Sequence, residues 1–378
     1  MKNNKGDYMR IKWIEFENLA TGLKIERINF FDDVTLLVGL SGVGKSQILN
    51  AVSYSLALSM NHIVLRPYRA VLGIEINGDI YEWSYKIELN PKDDFILNNN
   101  EEFIITHEKL TKNNNSVFER NNNLVNVAGY ENVPQPKKDE SLLLQYSDDD
   151  KFEPLISGLR KLYSIEMELE VRGGIKSEIF NALKARVNNT INNNDNIDFK
   201  TFSHLPVMLK IYIAKKYYHD LYIKIFESVK ELFIEVEDID VEEDATREMY
   251  LLCMTVYGKK LMQNDISNGM LKTIYYLVEL FTMSDNSLVL IDEFENGLGV
   301  NCIDLLSEQL LGERDDLQFI ITSHHPKIIN SIPMEKWRII DRDISTVTNV
   351  SCEKYGIGNS QHNAYFNLIN RWEFEGRI

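Results

Sequence analysis

The chain has 378 residues, 44% of them hydrophobic and 10% aromatic, enough apolar mass for one large core or two lobes. Its net charge of −16 disfavours non-specific nucleic-acid binding by the surface as a whole. No apolar run reaches the roughly 18 residues that span a bilayer, and the Lys/Asn-rich start lacks a signal peptide's apolar region, so a soluble, cytoplasmic protein without membrane partners is expected.

Three short β-like runs open the chain, at 10–16, 23–30 and 34–38, and only the third, an apolar run, needs to be central. It leads into Gly39-Leu40-Ser41-Gly42-Val43-Gly44-Lys45-Ser46, followed by a helical pattern from about Gln47. A strand before and a helix after give a phosphate-binding P-loop its required context. Glycines let backbone N–H groups wrap phosphate oxygens while the helix presents its positive end. Gly39, Ser41, Gly42, Val43, Gly44, Lys45, Ser46 and Gln47 are therefore the nucleotide-contact candidates. Lys45 would neutralise the β and γ phosphates, and Ser46 would offer its hydroxyl to Mg²⁺.

Residues 45–60 are apolar nearly all round and predict a buried helix. Segments 71–76 and 80–89 flank Asn77-Gly78, a strong hairpin signal, so an antiparallel β-subdomain follows. Asn triplets at 98–100, 113–115 and 121–123, then Pro134, Pro136 and a Lys-Lys pair, read as loop tips between short strands with little core of their own. From about 150 to 236 the pattern is helical, with Met208, Ile211, Ala214, Tyr218, Leu221, Ile225, Val229 and Leu232 at spacings of three or four. Lys210, Lys215, Lys216, Lys224 and Lys230 lie on the same helix, where a solvated face is expected and a local basic groove is the alternative. Cys253, Cys302 and Cys352 lack metal-ligand spacing and read as reduced, unreactive thiols.

The second half supplies partners for the P-loop. Residues 287–291 form an apolar run ending in Asp292-Glu293, as expected of a buried parallel strand delivering carboxylates to its C-terminal end. Asp292 would hold Mg²⁺ through water, and Glu293 would polarise the attacking water; an acidic cap on a core strand is the bland alternative. Residues 317–322 predict another strand, ending in Ser323-His324-His325-Pro326, where His324, with His325 as fallback, could sense the γ phosphate. Asp265-Ile266-Ser267-Asn268-Gly269 precedes an apolar helix at 274–281, so Ser267 and Gly269 form a second anion site or a plain helix cap.

In this order the motifs resemble the ABC-type ATPase heads of the Rad50, SMC and RecF group. They resemble more closely the compact bacterial ATP-binding proteins classed as AAA15-like or OLD-like. The resemblance covers roughly 9–345, with specific motifs at 39–46, 266–272, 287–298 and 322–326. It implies an α/β ABC-ATPase head with a P-loop parallel core, an antiparallel β-subdomain and an inserted helical lobe. Expected divisions are 1–148 and 246–345 for the two core halves, 149–245 for the lobe and 346–378 for a tail. It further implies a nucleotide-sandwich dimer in which Ser267 and Gly269 touch ATP bound to the other subunit, although Ser-Asn-Gly-Met departs from the commonest Ser-Gly-Gly-Gln. Gln145 is the candidate Q-loop metal contact, with a surface glutamine as alternative, and Asn18 falls at the adenine-side loop.

The implied function is a switch ATPase using ATP and Mg²⁺, assembled as a homodimer or higher oligomer. Members of this family often serve beside a separately encoded nuclease or toxin in phage defence. A RecF-like ATPase binding DNA directly is the alternative, opposed by the acidic charge. A small-molecule P-loop kinase would have no use for Ser267-Asn-Gly. The aromatics Tyr365, Phe366, Trp372 and Phe374 of the tail pack onto the core or dock a partner.

Overall fold

The computed structural model describes residues 8–59, 66–90, 103–131, 133, 135–164, 173–194, 196–312, 314–355 and 361–374. It separates into two compact units, one of Met1–Ile165, Asn286–Phe294 and Asp316–Ile378, the other of Glu166–Asp285 and Glu295–Asp315.

The first unit is built on a 13-stranded sheet. One half is antiparallel, with β1 (Met9–Asn18), β2 (Lys24–Asn29), β4 (Tyr68–Ile76), β5 (Asp79–Leu89), β6 (Phe103–Lys112), β7 (Asn115–Asn121) and β8 (Leu124–Val127) in the order β8-β7-β6-β5-β4-β1-β2. The other half is parallel: β3 (Val34–Val38), β9 (Leu162–Ser164), β14 (Leu288–Ile291), β15 (Gln318–Thr322) and β16 (Trp337–Asp343) run in the order β16-β3-β15-β14-β9. β17 (Thr346–Val350) joins the halves, parallel to β2 and antiparallel to β16. β3, β14 and β15 are buried along their whole length, as strands of a sheet covered on both faces must be.

Local chemistry explains the turns. Asn77 and Gly78 take φ of 52° and 89°, the two left-handed positions of a type I′ hairpin between β4 and β5. Asn113, Asn114 and Asn122 adopt left-handed backbone at the β6–β7 and β7–β8 turns, so the Asn runs at 113–115 and 121–123 do mark strand ends; the run at 98–100 lies outside the described residues. The strands between them carry more core than expected. Ile105, Leu110, Phe118 and Val127 are buried, and Glu108 and Arg120 form a buried cross-strand pair of positions. Arg120 donates to the carbonyls of Asn122, Glu140 and Lys137, while Glu108 accepts from Trp83 Nε1, Ser141 Oγ and Leu142 N–H. That carboxylate thus anchors the start of helix α2 (Leu142–Gln145). Helix α1 (Lys45–Ala57) buries Ile48, Leu49, Val52 and Leu56. Helix α3 (Glu153–Leu159) follows α2.

The second unit contains helices α4 (Ser177–Asn192), α5 (Val207–Tyr217), α6 (His219–Leu232), α7 (Asn268–Thr282) and α8 (Val300–Gly312). The single helix predicted across 208–232 is two, parted at Tyr218, whose φ of −129° and ψ of 65° are not helical and whose hydroxyl donates to the Ile197 carbonyl. Its lysines are not a uniform solvated face either. Lys210 is 1% exposed and pairs with Glu279 at 2.7 Å, and Lys215 bridges Asp238 and Asp240. The unit also holds a four-stranded antiparallel sheet absent from the sequence reading, made by β10 (Ile175–Lys176), β11 (Val236–Asp244), β12 (Met249–Val256) and β13 (Lys259–Met262). Among the described residues no helix is long and apolar enough to cross a membrane.

Candidate functional site

Three neighbouring parallel strands deliver the three motifs of the first unit. In the order β3-β15-β14, β3 ends at the P-loop, β15 at Ser323-His324 and β14 at Asp292-Glu293, all at the C-terminal edge where α/β sheets bind ligands. Adjacent strands stand about 4.8 Å apart, so the strand carrying the histidine lies directly between the other two.

The P-loop backbone is built for close approach to an anion. Gly44, the residue before α1, has φ +108°, and a Cβ there would stand 2.8 Å from Val347 Cγ2; a side chain is excluded both by the backbone and by the neighbour. Because Gly44 offers no side chain to cap α1, the first N–H groups of that helix lack a side-chain cap. Gly42 is left-handed as well, at φ +81°. Lys45 is buried with its Nζ donating to the Gly39 and Leu40 carbonyls at 3.0 and 2.9 Å, which curls the ammonium back over the loop. Ser41 and Ser46 are exposed, Val43 is buried, and Gln47 has a buried Oε1 with no hydrogen-bond partner among the described residues.

At the end of β14, Asp292 and Glu293 are exposed, and Glu293 adopts φ +46°, an unusual backbone for a residue with a side chain. Thr322, the last residue of β15, holds this turn. Its Oγ1 accepts from Glu293 N–H at 2.7 Å and donates to Asp292 Oδ1 at 2.6 Å, while its carbonyl accepts from Phe294 N–H. Thr322 was not among the sequence candidates. A threonine at a strand end satisfies β-propensity alone, and only the adjacency of β14 gives its hydroxyl two partners.

The two histidines separate in role. His325 caps the short helix α9 (Pro326–Ser331), its Nδ1 accepting from Lys327 N–H and its own N–H donating to Ser323 Oγ. His324 instead lines a cavity of about 380 Å³ together with Gly39, Leu40 and Ser41 of the P-loop.

The remaining candidates are more scattered. Asn18 is the last residue of β1, and its Oδ1 accepts from the Ala20 and Thr21 N–H groups, shaping the turn into β2. Gln145 closes α2, with its Oε1 buried and without a hydrogen-bond partner among the described residues. Ser267 and Gly269 belong to the second unit. Ser267 is exposed and caps α7, its Oγ accepting from Met270 N–H at 3.3 Å. Gly269 packs beside the loop after β14, where a Cβ would meet the Gly297 carbonyl at 3.3 Å, and Lys272 donates to the neighbouring Asn296 carbonyl.

These groups fit a nucleotide with Mg²⁺. The glycine turn and the helix end supply N–H donors, Lys45 supplies charge, and Ser46 and Asp292 supply exposed oxygens. No group of three or more His, Cys, Asp or Glu suited to a metal occurs among the described residues. Phosphate-bound Mg²⁺ needs none, since phosphate and water complete its shell around one or two protein oxygens.

A family model described as "AAA domain, putative AbiEii toxin, Type IV TA system" matches residues 34–330. Among solved structures, the Smc head domain with an extended coiled coil bound to the C-terminal domain of ScpA, from Pyrococcus furiosus, superposes with a TM-score of 0.50 at 11% identity, over 92% of this chain and 98% of that one. The SMC head domain from Thermotoga maritima gives 0.42 at 12% identity, over 90% and 98% of the two chains. The first of these likenesses shows the fold, an ABC-type ATPase head. No curated protein matches the chain.

Proposed function

The chain belongs to this AbiEii-type AAA-domain family of ABC/SMC-like ATPases, and from that premise we propose that it binds and hydrolyses ATP as a molecular switch. The observation that carries the reading is the row of strand ends β3, β15 and β14, in which Thr322 ties the Asp292-Glu293 turn to the strand leading to His324. The P-loop amides and Lys45 bind the phosphates; Ser46, and Asp292 through water, would hold Mg²⁺, which would supply positive charge to offset that of the phosphates. Glu293 accepts a proton from the water whose oxygen bonds to the γ phosphorus as the bond to the ADP oxygen breaks. His324 reads whether the γ phosphate is present. Gln145 contacts the metal and Asn18 the adenine side.

Two copies close over two nucleotides, with Ser267 and Gly269 of each reaching ATP held by the other. The exposure of Ser267 at the start of α7 supports this division of labour. ATP binds the closed state better than the open one, so hydrolysis shifts the population and changes a partner. The family model's description, "putative AbiEii toxin, Type IV TA system", supports a protein partner; that this partner is a separately encoded nuclease or toxin acting in phage defence is part of the proposal.

Solution mass and phosphate release, measured with and without ATP and Mg²⁺ on the wild type and Glu293→Gln, test the proposal. Glu293→Gln should bind ATP, stop releasing phosphate and accumulate as an ATP-dependent dimer or larger assembly. Normal turnover by the variant, with a mass indifferent to ATP, would overturn it.

A further inference from the structure

The C-terminal helix α11 (Gln361–Phe374), which follows the short helix α10 (Cys352–Tyr355), lies against the loop that presents His324. Leu368 and Trp372 anchor it, both buried, whereas Phe366 faces solvent. Tyr365, half-buried, directs its hydroxyl at the His324 carbonyl oxygen, 3.3 Å away. Tyr365, Ile369 and Trp372 form the wall of the 380 Å³ cavity that faces Gly39, Ser41 and His324.

The position of this contact gives it consequence. The parallel ladder of β15 holds the chain up to Thr322, and α9, capped by His325, holds it from Pro326. His324 is in the short link between these two anchored elements. A hydrogen bond to its carbonyl sets the plane of the 324–325 peptide. The rotamers open to the imidazole depend on that backbone geometry.

We infer that Tyr365 is a positioning residue for His324, and that α11 is a strap joining the phosphate-sensing loop to the C-terminal end of the chain. Movement of His324 on gain or loss of the γ phosphate is thereby felt at the helix, and displacement of the helix is felt at the histidine. The tail is then part of the hydrolytic machinery and not a separate docking appendage. The inference rests on the reading of His324 above.

Tyr365→Phe keeps the ring in the cavity wall and removes only the hydroxyl. Its kcat for phosphate release should fall roughly two- to tenfold, the span that one neutral hydrogen bond carries, while KM for ATP stays at its wild-type value and the melting temperature falls by no more than a few degrees. His324→Ala should be slower than wild type, and adding Tyr365→Phe to it should cost nothing further, because there is no imidazole left to aim. Wild-type kcat in Tyr365→Phe beside a slow His324→Ala would overturn the positioning role and leave the ATPase reading standing. Losses that multiply in the double variant would also overturn it. Equal rates for wild type and His324→Ala would remove the role of His324 itself, and the inference with it.

Discussion

Thr322 has no side chain that reacts with phosphate or water, yet its hydroxyl is shared by both acids at the end of β14. Thr322→Val preserves the branched shape in a fully buried position and deletes that hydroxyl. The part-buried Glu293 N–H then loses its acceptor and the exposed Asp292 its donor, and because water can replace part of these bonds the loss is about 0.5–1.5 kcal/mol, the net worth of an ordinary hydrogen bond. Urea denaturation should register a loss of that order. Phosphate release should slow as well, since the left-handed turn at Glu293 loses its tether; unchanged turnover would show that the turn holds without it. The loop proposed to bind phosphate was legible as a motif because its requirements are local: Gly, Lys and Ser must occupy fixed places in one short stretch. The separation of His324 from His325 was only half legible. Two adjacent imidazoles are chemically equal until one of them caps a helix, as His325 does for α9.

At the level of elements, the turns were plain and some of the strands were not. Asn77-Gly78 declared its hairpin because two successive left-handed residues admit few sequences. β11 did not, although Val236, Ile239 and Val241 are its buried residues. The register shift between Val236 and Asp238 breaks the two-residue alternation, so the segment has the spacing of neither a strand nor a helix. The apolar spacing from Met208 to Leu232 ran through Tyr218 because α5, buried nearly all round, and α6, which buries Tyr222, Ile225 and Val229, both carry apolar residues three and four apart on either side of the break. Glu108 shows what a buried carboxylate does for a short element. Burial pushes its pKa above the ordinary glutamate range, against the lowering effect of the Leu142 N–H, Ser141, Trp83 and Arg120. A carboxyl that holds its proton more tightly when folded loses stabilising effect as pH rises above the unfolded value of about 4.3. The stability advantage of wild type over Glu108→Gln should therefore shrink between pH 4.5 and 7, measured by urea denaturation at each pH. A gap that widens with pH would show that the donors around α2 outweigh burial.

Over the whole molecule, the net charge of −16 weighs against duplex DNA as a partner. A protein that turned over on DNA would need a basic track, and neutralising several phosphates makes affinity fall steeply with salt. Phosphate release should thus be indifferent to duplex DNA at any salt concentration. Stimulation that disappears steeply as salt rises would replace the effector switch with a DNA-binding repair ATPase. The 13-stranded sheet places the motifs but does not announce itself in the chain, since β3 and β15 are neighbours with most of the sequence between them.

By itself the amino-acid sequence determined the P-loop, the acid pair, the histidine pair, the hairpin signals and, through their order, the family. Each is a short-range property: consecutive residues must adopt one backbone path or present one set of donors, and chemistry limits which residues can. Only the tertiary structure decided that β15 stands between β3 and β14, that Thr322 serves both acids, and that Tyr365 on the last helix reaches His324. Strand neighbours in a parallel sheet are chosen by crossover and burial across the whole chain. No spacing within any single motif records that choice.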